Sequence, residues 1–359
     1  MSIEQNSVPE PQRGAPAGRV LVTGAAGFIG SRLVRQLLDA GRGVLAIDDF
    51  SGGWPERLPD HPRFEFHAGD VAEVGGLEAL LCGAGPVDAV VHLAARVGVR
   101  AVLRDPEGCR SSNLRGVREI LRAVQALPSD SRPRVLAASS SEVYAESFGA
   151  LAEGDATRRT DAVGRWAYAA SKLRGEEILD EARALWPTSR RPVHLRFFNV
   201  AGPGQDSESG MVLPTFVERA LRGEPLPVHG DGSQVRTFAH VDEVGRILRR
   251  LVEHPSLPAG ALNVGGRART SIRDLAACVV RAAATTSAIE FTDPRRACGS
   301  EFEEIRFREP ALERLRTLGL EEPNLSLEAI VADTVRRHPA LIRPRPRSAR
   351  GTTCVSPAS

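Results

Sequence analysis

The sequence predicts an α/β fold, a doubly wound parallel sheet carrying a smaller C-terminal lobe. Two observations carry that prediction. Between Arg19 and Val200 short apolar runs alternate with amphipathic stretches, the rhythm of successive βαβ units. After Gly202 the texture changes to Pro/Gly-rich loops (GPGQDSESG, GEPLPVHGDGSQ) that separate shorter helices, as in a small lobe set around a cleft.

The strand candidates, in order, are RVLVTG, GVLAIDD, RFEFHAGD, DAVVHLAA, PRVLAASSS and PVHLRFFNV. Between them, SRLVRQLLDA and SNLRGVREILRAVQAL repeat apolar residues every three or four positions and form helices packed on the sheet. Residues 1–18 read as a disordered N-terminal segment, 19–202 form the main domain with the candidate catalytic residues, and 203–338 form mainly a substrate-binding lobe. The Arg-, Pro- and Ser-rich segment 339–359 reads as disordered.

Composition narrows the function classes. With 42% hydrophobic residues, 26% charged residues and a net charge of +2, nothing favours nucleic acid or an anionic membrane as the main partner. No apolar run is long enough to span a bilayer and residues 1–18 lack an apolar leader core, so a cytoplasmic location is expected. The five cysteines are scattered without a CxxC pair, which suits reduced thiols and neither a disulfide frame nor a metal site. Lys172 is the one lysine among 47 basic residues, and it lies four positions after Tyr168, one of only two tyrosines. Arginine replaces lysine on most surfaces but not where a compact ammonium with a tunable proton is needed.

GAAGFIG follows the first strand and opens a helix. Gly24 permits the tight turn, Gly27 lets backbone amides approach a pyrophosphate, and Gly30 lets helix and strand pack closely. Phe28 and Ile29 lie in the same first turn, whose amides carry the partial positive charge of the helix N-terminus. This context defines a Rossmann-type dinucleotide site. Asp48 ends the second strand, where a carboxylate accepts from ribose hydroxyls and disfavours a 2′-phosphate, pointing to NAD; capping the following turn is the other role open to it. Asp70, followed by Val71, either reaches the adenine edge or stabilises its own turn. Leu93, Ala94 and Ala95 after the fourth strand complete the expected cofactor wall.

Tyr168 and Lys172 stand at i and i+4 on one helical face. With an oxidised nicotinamide beside them, both positive charges favour the phenolate and are expected to lower the Tyr168 pKa, so that it can take a hydroxyl proton as hydride leaves the same carbon. The serines of SSSEVY follow a buried strand at the sheet edge where open α/β folds bind ligands, and one of them can share the substrate hydroxyl.

GAAGFIG, HLAA, SSSEVY, YAASK and RFFNVAGPG, in this order, resemble the extended short-chain dehydrogenase/reductase family of NAD-dependent nucleotide-sugar epimerases, dehydratases and decarboxylases, over roughly Arg19 to Arg337. The resemblance implies a catalytic Ser140, nucleotide diphosphate contacts from Asn199 and Arg236, and a homodimer built on two long helices. Its members make a transient C4 ketone that is then epimerised, dehydrated to a 4-keto-6-deoxy sugar, or decarboxylated when C6 is a carboxylate. Glu142 matches the glutamate of the dehydratases and UDP-glucuronate decarboxylases. Ser141, Arg165-Trp166 and Arg308 in FEEIRFREP resemble the bacterial and plant decarboxylases, where the arginine would pair with the C6 carboxylate. Ala145 departs from that pattern, since these families usually place glycine after the tyrosine, and HLAARVGVR resembles uronate epimerase-like chains more than the decarboxylases. The expected function is transient C4 oxidation of an NDP-hexose or NDP-hexuronate, UDP-linked, of 4-epimerase or UDP-glucuronate decarboxylase type. A 4,6-dehydratase, a hydroxysteroid- or flavanone-type reductase and a non-catalytic NAD-binding protein are the alternatives.

Overall fold

The computed structural model describes residues 18–73, 76–161, 163–293 and 305–338. Almost all of the N-terminal segment and all of the C-terminal tail read as disordered lie outside the described residues, as do Cys298, Cys354 and the first three residues of the FEEIRFREP motif.

The main domain runs β1 (Arg19–Thr23), α1 (Phe28–Asp39), β2 (Gly43–Asp48), β3 (Phe64–Ala68), α2 (Leu77–Gly83), β4 (Val87–His92), α3 (Val99–Arg104), α4 (Pro106–Gln125), β5 (Arg134–Ser140), α5 (Ala167–Glu181) and β6 (Val193–Phe197). There follow β7 (Val200–Ala201), α6 (Val212–Leu221), β8 (Leu226–His229), β9 (Val235–Thr237), β10 (Ala239–His240), α7 (Val241–Glu253), β11 (Gly260–Val264), β12 (Arg269–Ser271) and α8 (Ile272–Ala282). The described chain closes with β13 (Ile289–Thr292), β14 (Phe307–Arg308), α9 (Glu313–Thr317) and α10 (Leu327–Arg336).

The central sheet has the order β11-β6-β5-β4-β1-β2-β3, and every pairing in it is parallel. All six strand candidates are present in it. Successive side chains of a strand point to opposite faces: Val20 and Val22 join the core under α1 and α7, whereas Leu21 joins the core under α2, α4 and α5. Helices on both faces explain why the strands read as nearly unbroken apolar runs. A third core, with Phe216, Val228, Leu275 and Val331, holds the second lobe, built from α6, α8, α10 and short strands.

Within residues 203–338, α7 and β11 return to the main sheet: β11 pairs with β6 and α7 packs on α1. The chain therefore crosses between the lobes more than once, which the change of texture after Gly202 does not show. Among the described residues no helix is long and apolar enough to cross a membrane.

Candidate active site

A cleft of about 1120 Å³ lies along the carboxyl ends of the strands, between the sheet and the second lobe. At one end is the glycine loop. Gly24 has φ +72°, a left-handed conformation, and a Cβ there would lie 2.7 Å from the Ala94 nitrogen. A Cβ on Gly30 would lie 2.0 Å from the Gly24 carbonyl oxygen, so the helix can approach the strand only through glycine. Helix α1 has no side-chain cap, and Gly24, Gly27, Phe28, Ile29 and Gly30 all line the cleft. Uncapped amides at a helix N-terminus facing a cavity are what a pyrophosphate requires, so these residues fit a bound dinucleotide.

Asp48 is buried and lines the same end; burial raises its pKa. Its Oδ2 accepts from the Ala26 amide at 2.9 Å and Oδ1 from the Phe50 amide at 2.8 Å. It thus braces both the glycine loop and the turn at Phe50, a non-glycine residue at φ +58°. Of the two roles open to it, Asp48 fills the capping one and also faces the cleft. Asp70 accepts from its own turn at the Ala72 amide (2.9 Å) and pairs with Arg115 at 3.6 Å, while Val71, Leu93, Ala94 and Ala95 line the cleft beside it.

The middle of the cleft holds Ser140, Ser141, Glu142, Tyr168 and Lys172. The β5 strand ends at Ser140, whose Oγ accepts the Glu142 amide at 3.2 Å and is hydrogen-bonded to the Tyr168 phenol. Lys172 Nζ lies 5.8 Å from the Tyr168 ring centroid and donates to the Ala138 carbonyl at 2.9 Å. Burial holds Lys172 down at about 8. In the protein alone the Tyr168 pKa is raised, whereas the expected lowering concerns the form with an oxidised nicotinamide beside it. Burial pushes the phenol up, the Glu142 carboxylate adds to that, and the Ser140 bond only partly offsets it.

Glu142 pairs with Arg165 at 4.0 Å, and the Arg158 and Arg165 guanidinium groups lie 3.4 and 4.2 Å from the Trp166 ring centroid. Toward the second lobe, Arg308 is 2% exposed and donates to the Tyr144 and Ala145 carbonyls at 3.1 and 3.2 Å. Burial lowers its pKa to about 10, and the charges of Arg158 and Arg236 act in the same direction. Arg236 donates to the Ile305 carbonyl at 2.7 Å and Asn199 to the Thr237 carbonyl at 3.1 Å; both line the cleft.

The candidate cofactor, catalytic and substrate residues, and Arg165 with them, therefore border this one cleft, whereas Trp166 and Ala145 do not line it. Sequence reasoning missed Asn113, a buried side chain within α4 whose Oδ1 accepts the Arg96 amide at 2.8 Å and whose Nδ2 donates to Ser171 Oγ at 3.0 Å. Its signal was a polar residue on the inward face of an amphipathic helix. Arg57 was also missed: it lines the Asp48 end and donates to the Gly204 carbonyl at 2.6 Å, a contact 147 residues away in sequence.

The fold and the cleft together define a Rossmann-type enzyme that uses a nicotinamide dinucleotide. The model of the NAD dependent epimerase/dehydratase family matches residues 20–265, and the chain belongs to that family. It is 31% identical over 330 residues to the UDP-N-acetyl-alpha-D-glucosaminuronate decarboxylase of Bacillus cytotoxicus, covering 89% of this chain and 97% of that one. It is 34% identical over 285 residues to the UDP-glucose 4-epimerase of Mycolicibacterium smegmatis, covering 77% and 86%. In three dimensions it matches the UDP-N-acetylglucosamine 4-epimerase of Methanobrevibacter ruminantium in complex with UDP-N-acetylmuramic acid, at a TM-score of 0.78 and 26% identity over 90% and 98% of the two chains.

Proposed function

We propose that this enzyme oxidises C4 of a UDP-linked hexose or hexuronate and resolves the ketone as a 4-epimerase or as a uronate decarboxylase. One observation carries the proposal: Ser140, Tyr168 and Lys172 meet in a single cleft, with the uncapped α1 terminus at one end and the buried Arg308 at the other.

NAD supplies a hydride acceptor and donor when bound, held by the glycine loop, Asp48 and Lys172. Tyr168 takes the C4 hydroxyl proton and Ser140, already bonded to the phenol, shares that hydroxyl. Lys172 favours the phenolate and steadies the ribose. Ser141 and Glu142 face the sugar ring, with Glu142 oriented by Arg165. Asn199 and Arg236 take the diphosphate. Arg308, depressed by burial and by two neighbouring arginines, sits in a positive field that an anionic substrate would relieve, which supports a carboxylate at C6.

The proposal includes a cytoplasmic location, in keeping with dispersed cysteines of which Cys109 and Cys278 are buried free thiols, and a homodimer. Its test is incubation with UDP-glucuronate, UDP-N-acetylglucosaminuronate, UDP-glucose and UDP-N-acetylglucosamine, with products read by NMR. Inversion at C4 or loss of C6 is expected, without net change in reduced-cofactor absorbance. A C6 methyl would mark a dehydratase, and stoichiometric cofactor consumption would mark a reductase; either overturns the proposal.

A further inference from the structure

A second, small cavity adjoins the cleft across Lys172. Asn113, Ser139 and Lys172 line both, and the remaining polar walls are Ser171, Glu176 and His194. Its volume is about 10 Å³, room for one water molecule. Most of these polar groups are satisfied within the protein. Ser139 donates to Glu176, Glu176 pairs with Arg196 at 2.7 Å, and Asn113 donates to Ser171.

His194 is the exception. It is 1% exposed, and its Nε2 lies 3.0 Å from Asp180 Oδ1. A carboxylate only accepts, so Nε2 carries the proton and Nδ1 is left as an acceptor. That Nδ1 is buried without a hydrogen-bond partner. Buried acceptors are rarely left so, and a cavity with polar walls is where the missing partner belongs. Asp180, at the other side of the ring, has a side chain 43% exposed.

We propose that this cavity holds a water molecule hydrogen-bonded to Lys172 Nζ and His194 Nδ1, and that Lys172, the water, His194 and Asp180 conduct protons between the active site and solvent. The proposal rests on the proposed function only in taking Tyr168 as the base. Once cofactor and sugar nucleotide fill the cleft, water no longer reaches the phenol from the front. The transfer balances without electrons. The Lys172 ammonium gives a proton to the water, the water gives one to Nδ1, and the Nε2 proton passes to the Asp180 carboxylate and then to solvent. The amine left behind can take up the proton that Tyr168 loses, and the reverse sequence supplies a proton. The depressed pKa of Lys172, about 8, makes that ammonium a competent donor near neutrality.

The composition permits a direct test. In the Tyr144→Phe background Tyr168 is the only tyrosine of the chain, so ultraviolet absorbance after an upward pH jump reads its phenolate alone. The full chain is loaded with NAD, and UDP is added to fill the far end of the cleft. We expect Asp180→Asn and His194→Phe to slow phenolate formation on the order of tenfold at unchanged amplitude. Asp180→Glu should restore the rate, and a high-resolution crystal structure should show a water between Nζ and Nδ1. Unchanged rates in both variants, or no such water, overturn the relay while leaving Tyr168 as base. A loss of amplitude at unchanged rate marks a merely structural His194 and also overturns it. If no phenolate forms in any variant, Tyr168 loses no proton, and the proposed function falls with the relay.

Discussion

Lys172 is buried and Tyr168 half-buried, and the protein alone disfavours the charged form of each. A lysine with a folded pKa below its unfolded value binds fewer protons when folded. Its charge therefore costs stability below about pH 8, and the cost fades as pH rises from about 8 towards 10.5. Lys172→Met should abolish turnover yet raise unfolding stability at pH 7, by up to about 3 kcal/mol. Denaturant titrations across pH should show that gain vanishing in alkali; a loss at pH 7 would mean the Ala138 bond outweighs desolvation. Tyr168→Phe removes only the proton-transfer group, so turnover should fall by at least about 10²-fold while NAD still binds. Cofactor retained through gel filtration checks the second half. Arg308→Lys keeps a charge but cannot reach two carbonyls as a planar fork does. We expect KM to rise on the order of tenfold for a uronate substrate and little for a neutral hexose.

At the scale of elements, α1 and β1 meet through glycine. A methyl at Gly30 collides with the Gly24 carbonyl, backbone against backbone, so Gly30→Ala should cost about 1–3 kcal/mol and weaken NAD binding together. Calorimetry of unfolding and of NAD binding would separate the two. Tyr144, the other tyrosine, serves structure: its phenol donates to Asn263 Oδ1 at 2.7 Å and ties the loop after β5 to β11. These parts differ in how far they could be read ahead. The glycine spacing, the i, i+4 pair and the strand-end serines were legible because each is a local pattern with a local cause. Asn113 and Arg57 were not, because their partners lie in other elements. The raised Tyr168 pKa of the protein alone was not legible either, because desolvation depends on packing, which spacing along one helix does not report.

For the whole molecule, His92 links β4 to β1 through Thr23 Oγ1 at 2.8 Å and is fully desolvated. Burial, aided by the Lys172 charge, holds it down at about 3. A histidine neutral when folded is protonated preferentially when unfolded. Its contribution is complete above about 6.5 and is lost as pH falls from there towards 3. His92→Asn should flatten the acid limb of the stability curve, a change visible in denaturation midpoints between those limits. Surface chemistry bears on the proposed homodimer. Among the described residues none of the large exposed hydrophobics lies on α4 or α5. Their outward faces carry ion pairs such as Arg122–Glu119 and Arg174–Glu177. A homodimer formed through these helices would thus be polar at its rim, and light scattering should show it weakening as salt screens those charges.

By itself the sequence determined the alternation of strand and helix, the dinucleotide loop and the tyrosine–lysine pair, because hydrophobic period, glycine sterics and helical pitch act within a few residues. Only the tertiary structure decided that Arg308 and Arg236 converge on the same cleft as Ser140, that α7 and β11 return to the main sheet, and that His194 faces a water-sized cavity beside Lys172. Those outcomes depend on which distant surfaces exclude water from one another, and burial is a property of the assembled chain.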